Sequence, residues 1–240
     1  MILAGVSLKY GRVLLLRPVS SICTFNMSKY RKKHTWDRDQ KKLRVLVDMD
    51  CVLADFETNF LKRYKEKYPD EPFIPLDKRK GFYLTTQYEK IGVHNDKIYS
   101  VINEEGFFLT LPPIAGGIEA LKEMSGLPGV DVFLCTSPVI NYQFCVKEKY
   151  DWVQKYLGKD WVEKLILTRD KTIIHGDLLI DDRPRIKGCE HEPLWRQVLF
   201  SACHNKTYKI SNEIRLDSWD TNLWLPMILE AQKRKSSEVQ

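Results

Sequence analysis

The sequence of 240 residues predicts an α/β fold built on a mainly parallel, doubly wound sheet. Strand-like apolar runs alternate along the chain with helix-like stretches, an order that is typical of parallel sheets covered by helices. The length suits one such domain with an inserted module, or two small domains. The runs predicted as strands are Arg44–Val47, Val130–Leu134, Lys164–Leu167, Leu178–Ile180 and Val198–Phe200.

The helices are predicted from apolar residues that recur at helical spacing. The clearest helix covers Val146–Leu157, and the residues on its apolar face are Val146, Tyr150, Val153 and Leu157. A second helix precedes the second strand, and it is marked by Ile118, Leu121 and Met124. Both helices alternate with strands, as the predicted fold requires.

The first predicted strand ends in two carboxylates, Asp48 and Asp50, with one residue between them. Side chains of a strand alternate between its two faces, so both carboxylates point the same way. Buried charges need partners or a metal ion, and open α/β sheets bind ligands at the carboxyl ends of their strands. The pair therefore predicts a ligand site, with a turn-forming acidic cluster as the alternative.

Two later strands end in groups that suit a phosphate. Thr136 and Ser137 follow the second strand, and their hydroxyls and adjacent backbone N–H groups can donate to phosphate oxygens. Hydroxyls before a proline also commonly form turns or helix caps. Lys171 follows the third strand, although a lone lysine is more often a surface charge, and Lys149 is a competing candidate.

The fourth strand also ends in an acidic pair, Asp181 and Asp182, followed by Arg183. An acidic turn would explain this pair if it stood alone. The four signals nevertheless all lie at the ends of apolar runs, where a parallel sheet binds its ligands. Their shared position at the ends of strands therefore favours one common site.

Asp48, Asp50 and Asp55 form the pattern DxDxxxxD. With the downstream groups in this order, the chain resembles the haloacid dehalogenase (HAD) superfamily. The resemblance implies a HAD-like Rossmannoid parallel-sheet core at residues 43–58 and 114–230. It also implies a small helical cap at residues 59–113, inserted after the first strand, and a Mg²⁺-dependent phosphatase in which Asp48 is the nucleophile and Asp50 the acid/base.

The resemblance narrows to the 5′(3′)-deoxyribonucleotidases, and within them to the mitochondrial type. The segments that carry it are Asp48–Glu57, Cys135–Pro138, Glu148–Tyr156, Leu167–Thr172, Leu178–Pro184 and Ala202–Asn205. They cover the chain from about Leu43 to Asn205, with a looser match to near Glu230. This family implies hydrolysis of dUMP and dTMP, including 5′ and 2′/3′ phosphates, through an aspartyl-phosphate, and it implies a homodimer.

The same resemblance implies ligands for the site. The metal ligands are Asp48, Asp50 through its backbone carbonyl, and Asp182, with Asp181 in support. The substrate-binding residues are Phe56, Phe82, Tyr83, Leu84, Thr136, Ser137, Arg169 and Lys171. Aromatic rings of the cap could stack on a nucleobase, and Arg183 could help to position the phosphate or the base, although surface charge is the alternative for Arg169 and Arg183.

One residue departs from the family pattern. The glycine that usually follows the second motif aspartate is Cys51 here. If this position needs a backbone angle that only glycine adopts readily, Cys51 is strained. We expect instead that the position requires only a small side chain.

Other functions remain open at this point. The chain could be a HAD phosphatase for another small phosphorylated metabolite, a phosphomutase or transferase, or a catalytically silent HAD-fold binding protein. A silent relative is expected to lack at least one acidic residue of the motifs. Retention of both acidic pairs favours an enzyme.

Charge is unevenly distributed along the chain. Residues 1–36 contain seven Lys or Arg and no acidic residue, whereas the remainder contains 31 basic and 32 acidic residues. A surface for nucleic acid polymers is therefore not predicted, and the longest apolar runs are too short to span a bilayer. Residues 1–36 have the composition of a mitochondrial transit peptide, although a merely disordered basic leader is the alternative.

The two ends of the chain and the cysteines complete the sequence-based expectations. Matrix import is expected, but initiation at Met27 would leave a cytosolic enzyme. Residues 231–240 are predicted to form a flexible tail. The six cysteines include no C-x-x-C pair and indicate a reducing compartment. A zinc set is disfavoured because its spacings match no standard site; its residues would be Cys189, His191, Cys203 and His204.

Overall fold

The structure, a computed structural model, describes residues 42–209 and 214–237. The predicted leader 1–36, with Met27, lies outside these residues. The strands are β1 Leu43–Val47, β2 Val130–Thr136, β3 Leu165–Leu167, β4 Leu178–Asp181, β5 Arg196–Phe200 and β6 Ile214–Leu216. They form one six-stranded sheet in the order β3-β2-β1-β4-β5-β6. Every neighbouring pair in this sheet is parallel, which confirms the predicted fold class.

Strand β1 lies inside the sheet, between β2 and β4. Val45 pairs with Val132 of β2 on one side and with Leu178 of β4 on the other. Val45, Leu46 and Val47 have no exposed surface. A strand covered on both faces reads as a continuous apolar run, which is why this strand could be predicted from the sequence.

The helices are α1 Phe56–Lys67, α2 Leu84–Glu89, α3 Asn95–Ile102, α4 Gly117–Ser125, α5 Cys145–Tyr156, α6 Lys159–Val162 and α7 Thr221–Ser237. The two helices predicted from apolar spacing correspond to α4 and α5. No helix within residues 42–209 and 214–237 combines the length and the apolar character needed to cross a bilayer.

Helices α1, α2 and α3 lie between β1 and β2 in the chain and pack on one another around aromatic rings. Tyr88 lies 5.7 Å from Phe60 and 5.2 Å from Tyr64 between ring centroids, and all three residues are buried. Helix α1 begins at Phe56 because the Asp55 carboxylate accepts a hydrogen bond from Thr58 N at 3.1 Å. The expected boundary between residues 58 and 59 therefore falls inside α1.

The end of the described chain differs from the prediction. A flexible tail was expected from residue 231, but helix α7 continues to Ser237. Lys235 Nζ lies 2.5 Å from Asp177 Oδ2 and 2.8 Å from Lys42 O. The tail prediction is wrong as far as Ser237, because a polar helix face can be held by contacts with distant residues that its own composition does not reveal.

Candidate active site

At the carboxyl ends of the strands, a lysine lies between two aspartates. Asp48 follows β1, Asp181 ends β4, and Lys171 comes from the segment after β3. Lys171 Nζ lies 2.9 Å from Asp48 Oδ1 and 2.6 Å from Asp181 Oδ2. All three residues are buried. Burial opposes the charge of Lys171, but the carboxylates of Asp181 and Asp48 outweigh it and raise the lysine pKa. The ammonium therefore stays charged beside Asp48.

A second buried lysine holds Asp50. Lys149 Nζ donates to Asp50 Oδ2 at 2.7 Å and to Thr136 Oγ1 at 3.0 Å, and the lysine is 1% exposed. Burial raises the pKa of Asp50, the charges of Asp48 and Asp182 raise it further, and Lys149 opposes the rise. Asp50 is thus a carboxyl that can hold a proton more readily than an exposed aspartate.

The two candidate lysines therefore have different partners. Lys171 contacts Asp48 and lines the cavity described below, whereas Lys149 contacts Asp50 from the buried face of α5. The sequence alone could not show which lysine contacts which aspartate, because it does not reveal whether a side chain from α5 or one from the segment after β3 reaches each carboxylate.

A cavity of about 710 Å³ opens above these carboxylates. It is lined by all the residues that the sequence assigned to catalysis, substrate or metal, which are Asp48, Asp50, Phe56, Phe82, Tyr83, Leu84, Thr136, Ser137, Arg169, Lys171 and Asp182. The cavity has charged groups at the sheet edge and rings from the helical segment opposite. It suits a ligand that combines an anion with an apolar or aromatic part.

On the aromatic side of the cavity, Arg183 contacts two neighbouring rings, Phe82 and Tyr83. The rings of Phe82 and Tyr83 meet edge to face, with centroids 5.2 Å apart. Arg183 Nη2 donates to Tyr83 Oη at 2.8 Å, and the guanidinium carbon lies 5.0 Å from the centre of the Phe82 ring. Tyr83 is 57% exposed, so this pair stands at the mouth of the cavity.

Phe56 and Arg169 take up different positions. Phe56 lines the cavity but also packs edge to face on Phe107, with ring centroids 5.2 Å apart. Arg169 Nη1 donates to Pro138 O at 3.4 Å. Each therefore contributes a protein contact as well as a surface to the cavity.

A line of buried charges runs from the segment before α2 to the end of β4. Arg79 Nη2 and Nε lie 2.8 and 2.9 Å from the two carboxylate oxygens of Glu57. His204 Nδ1 is 3.4 Å from Glu57 Oε1, and His204 Nε2 is 3.1 Å from Asp182 Oδ2. All four residues are buried, and we call them the Arg79–Asp182 line.

The line keeps His204 charged. Burial lowers the imidazole pKa, but the contacts with Asp182, Cys203 and Glu57 outweigh it and raise the pKa to about 11. Sequence reasoning weighed His204 only within a zinc set and did not single out Glu57 or Arg79. No local pattern could have found the line, because its members are separated along the chain.

Glu57 gives the line a measurable pH dependence. Burial raises its pKa, but the hydrogen bonds from Arg79 and the nearby positive charge of His204 outweigh burial and lower the pKa below the ordinary value of 4.5. A carboxyl with a lowered folded-state pKa stabilises the fold above its ordinary pKa, and this stability is lost as the pH falls through the folded value.

We expect Glu57→Gln to destabilise the protein by about 3 kcal/mol at neutral pH, since it leaves Arg79 buried without its charged partner. The difference from wild type should shrink as the pH falls below 4.5, measured by urea unfolding at a series of pH values. Glu66→Gln, on the exposed face of the same helix, is the control. A difference that stays constant with pH would contradict the assignment.

Cys51 adopts a left-handed backbone conformation, with φ of 59°. The turn is tight, because Met49 O accepts bonds from the N–H groups of Val52, Leu53 and Ala54. Our expectation that this position needs only a small side chain is therefore wrong. A left-handed angle costs a residue other than glycine roughly 1–2 kcal/mol, and this position favours glycine.

Two groups of side chains in the described part of the chain could hold a metal ion. Oxygen atoms of Asp48, Asp181 and Asp182 lie within 4.8 Å of one another, and so do the ligand atoms of Cys51, Glu57 and His204. The zinc set considered from the sequence is neither of these. Three carboxylates offer the hard oxygen ligands that Mg²⁺ prefers, so the first group fits that ion.

Asp181 belongs to this aspartate group, although the sequence-based prediction used the backbone of Asp50 as the third ligand. Both Asp181 oxygens already have protein partners, since Oδ1 accepts from Arg183 N at 2.8 Å and Oδ2 pairs with Lys171. Asp181 is thus suited to support the other two carboxylates.

Comparison with known proteins connects this geometry to one family. A family model described as 5′ nucleotidase, deoxy (pyrimidine), cytosolic type C protein matches residues 41–233. The chain is 49% identical to the human mitochondrial 5′(3′)-deoxyribonucleotidase over 182 residues, covering 75% of this chain and 79% of that protein. It is 47% identical to the human cytosolic type over 184 residues, covering 76% and 92%.

A solved structure supports the fold independently. The chain resembles a conserved haloacid dehalogenase-like protein from Agrobacterium tumefaciens with a TM-score of 0.50 and 12% identity. The match covers 79% of this chain and 98% of that one. At this identity the likeness concerns the fold alone.

Proposed function

Since the chain belongs to the 5′(3′)-deoxyribonucleotidase family, we propose that it hydrolyses deoxyribonucleoside monophosphates to nucleosides and inorganic phosphate. The observation that carries this proposal is the position of Asp48. It lies at the end of β1, beside the Lys171 ammonium at 2.9 Å, at the charged side of a cavity whose other side is aromatic. The protein is accordingly a phosphoric monoester hydrolase, with dUMP and dTMP as the expected substrates and with 5′ and 2′/3′ phosphates accepted.

The proposed reaction has two displacements at phosphorus. An oxygen of Asp48 attacks, so that an aspartyl-phosphate forms while the bond from phosphorus to the nucleoside oxygen breaks. Asp50 gives its proton to that leaving oxygen. Water then attacks the aspartyl-phosphate, Asp50 takes the water proton, and Asp48 is regenerated with release of phosphate.

The two lysines have different proposed roles. Lys171, with Thr136 and Ser137, is proposed to compensate charge on the phosphoryl oxygens. Lys149 is proposed to hold Asp50 in place through its 2.7 Å contact. This division is supported by burial, because Lys149 is 1% exposed and is bound to both Asp50 and Thr136.

Mg²⁺ is the proposed cofactor. Asp48, the backbone carbonyl of Asp50, and Asp182 would hold the ion, and Asp181 would support them through its bonds to Lys171 and Arg183 N. When bound, the ion supplies positive charge that reduces repulsion between the anionic nucleophile and the phosphate.

The base is proposed to lie against the rings of the helical segment, with residues 59–113 acting as the cap. Phe82 and Tyr83 offer faces for stacking, Phe56 and Leu84 complete the apolar wall, and stacking is worth about 1–3 kcal/mol per base. Arg169 and Arg183 are proposed to help position the phosphate or the base. A cavity of about 710 Å³ beneath a helical cap favours monophosphates over polymers or phosphoproteins.

Phosphate release from a panel of nucleotides and sugar phosphates, with and without Mg²⁺, tests the function. We expect Mg²⁺-dependent release, with dUMP and dTMP preferred over glycerol phosphate. Phe82→Ala should raise KM for dUMP by about 5–150-fold through lost stacking and leave glycerol phosphate hydrolysis unchanged. Tyr142→Ala is the control, because this exposed ring does not line the cavity. Equal efficiency with glycerol phosphate and dUMP would contradict the base pocket.

The assembly is expected from resemblance alone. A homodimer stays a prediction. The expected ligand is a small nucleotide, and we expect neither a nucleic acid polymer nor a membrane as a partner.

We propose import into the mitochondrial matrix, which rests on the basic, acid-free composition of residues 1–36. Relatives of this chain include a mitochondrial and a cytosolic form. A fluorescent fusion of residues 1–40 should enter mitochondria, whereas a fusion of residues 27–40 should stay in the cytosol. Diffuse cytosolic fluorescence of the longer fusion would contradict import.

A further inference from the structure

We propose that Cys51, Glu57 and His204 form a second cation site, which takes a borderline or soft divalent ion such as Zn²⁺ and thereby inhibits the enzyme. Their ligand atoms all lie within 4.8 Å of one another, and all three residues are buried. They come from the turn after β1, from α1, and from the loop after β5. The inhibitory part of this inference rests on the proposed phosphatase function, whereas the binding part does not.

The chemistry of the donors separates this site from the aspartate group. A thiolate sulfur, an imidazole nitrogen and a carboxylate oxygen together match the ligands of zinc. The aspartate group has oxygen donors only, which suit Mg²⁺. Soft sulfur ligands select zinc-like ions over magnesium, so the two sites are expected to differ in the ions they take.

His204 provides the second, independent observation. It is 4% exposed, and neither ring nitrogen makes a hydrogen bond of acceptable geometry within the described residues. The nearest groups are carboxylate oxygens, at 3.4 Å from Nδ1 and 3.1 Å from Nε2. A buried polar ring without a well-directed hydrogen bond is uncommon, and its Nδ1 faces Glu57, a member of the proposed site.

The surrounding charges remain balanced when a divalent ion replaces the thiol and imidazolium protons. The Cys51 thiolate, Glu57 and Asp182 carry three negative charges, and the ion with the Arg79 guanidinium carries three positive ones. Arg79 donates to both Glu57 oxygens, at 2.8 and 2.9 Å. Each oxygen has a second lone pair, so the carboxylate can bind an ion while it stays paired with Arg79. On binding, sulfur and nitrogen lone pairs are donated to the metal, and the thiol and imidazolium protons pass to solvent.

The inhibition follows from the position of His204. Its Nε2 lies 3.1 Å from the Asp182 carboxylate, which we assigned to Mg²⁺. An ion held by Nδ1 would leave the remaining ring proton on Nε2 and would fix that N–H against Asp182 Oδ2. A carboxylate oxygen engaged in this way is less available to Mg²⁺ at the catalytic site.

Cobalt titration of the purified full-length chain tests the binding directly, because a cobalt–thiolate bond absorbs in the near ultraviolet. We expect one thiolate-bound Co²⁺ per chain. Cys51→Ser, which keeps the size of the side chain, should lose the band, whereas Cys189→Ser should retain it, since Cys189 is exposed and outside the cluster. Zn²⁺ should displace the cobalt and should inhibit wild type at concentrations at least about tenfold below those needed for Cys51→Ser, a difference of about 1.4 kcal/mol.

The outcomes are distinguishable. Absence of the band in wild type, or its persistence in Cys51→Ser, would overturn the site. Equal Zn²⁺ inhibition of wild type and Cys51→Ser would overturn the inhibitory part. Cys51→Gly, which relaxes the left-handed turn, repeats the test in a variant without backbone strain. A wild-type cobalt band that Cys51→Ser loses, in a chain with no phosphatase activity, would refute the proposed function and leave the site standing.

Discussion

Asp48→Asn should reduce phosphate release from dUMP by on the order of 10⁴-fold or more, because an amide cannot form the aspartyl-phosphate on which both displacements depend. The change is nearly isosteric, so Lys171 and Asp181 should keep their contact in the variant. Steady-state release and acid-quench trapping of labelled phosphoenzyme are the measurements. Wild type should yield a trapped phosphoenzyme, and the variant none.

The matched control is Asp160→Asn, which makes the same chemical change at an exposed position on α6. It should leave turnover and trapping unchanged. Binding of dUMP by Asp48→Asn, measured by calorimetry, shows whether the variant is folded. A folded, ligand-binding Asp48→Asn with near wild-type turnover would exclude Asp48 as the nucleophile.

Asp50→Asn is expected to lower turnover of dUMP by about 10²–10⁴-fold, the range of general acid–base catalysis. The physical reason is that burial and the charges of Asp48 and Asp182 raise the Asp50 pKa, so that this carboxyl can deliver a proton to the nucleoside oxygen. An amide at this position can neither donate that proton nor accept one from water.

A substrate with a better leaving group distinguishes the two proposed roles of Asp50, as acid in the first displacement and as base in the second. p-Nitrophenolate leaves without protonation, so the first displacement in Asp50→Asn should be largely restored with p-nitrophenyl phosphate. The second displacement still needs a base, and phosphoenzyme should therefore accumulate. An equal loss of the first-step rate with both substrates would remove Asp50 from the role of acid.

Elements whose signal is local were predicted correctly. Strand β1 and helix α5 each show their apolar pattern within a few consecutive residues, and β4 ends in an acidic pair that any reader of the sequence can see. Strand β6 was not predicted, because its three residues are interrupted by Arg215, whereas β3, an edge strand of the same length, is a continuous apolar run. The last turns of α7 were missed because Asp177, distant in the chain, helps to hold Lys235.

The backbone at Cys51 was misjudged for a related reason. A sequence shows that a residue is small, but it does not show the sign of φ, which is set here by a turn in which three N–H groups share Met49 O. Only the folded turn revealed that the family glycine is replaced at a left-handed position.

By itself, the sequence determined the parallel α/β fold and the set of acidic and hydroxyl groups at the strand ends, because both depend on short-range periodicity and on where parallel strands end. The tertiary structure alone decided that Lys171 pairs with Asp48 and that Lys149 pairs with Asp50. It also decided that Glu57 and His204 meet, since pairing between charges depends on distances in space, and residues far apart in the chain are brought together only when the core packs.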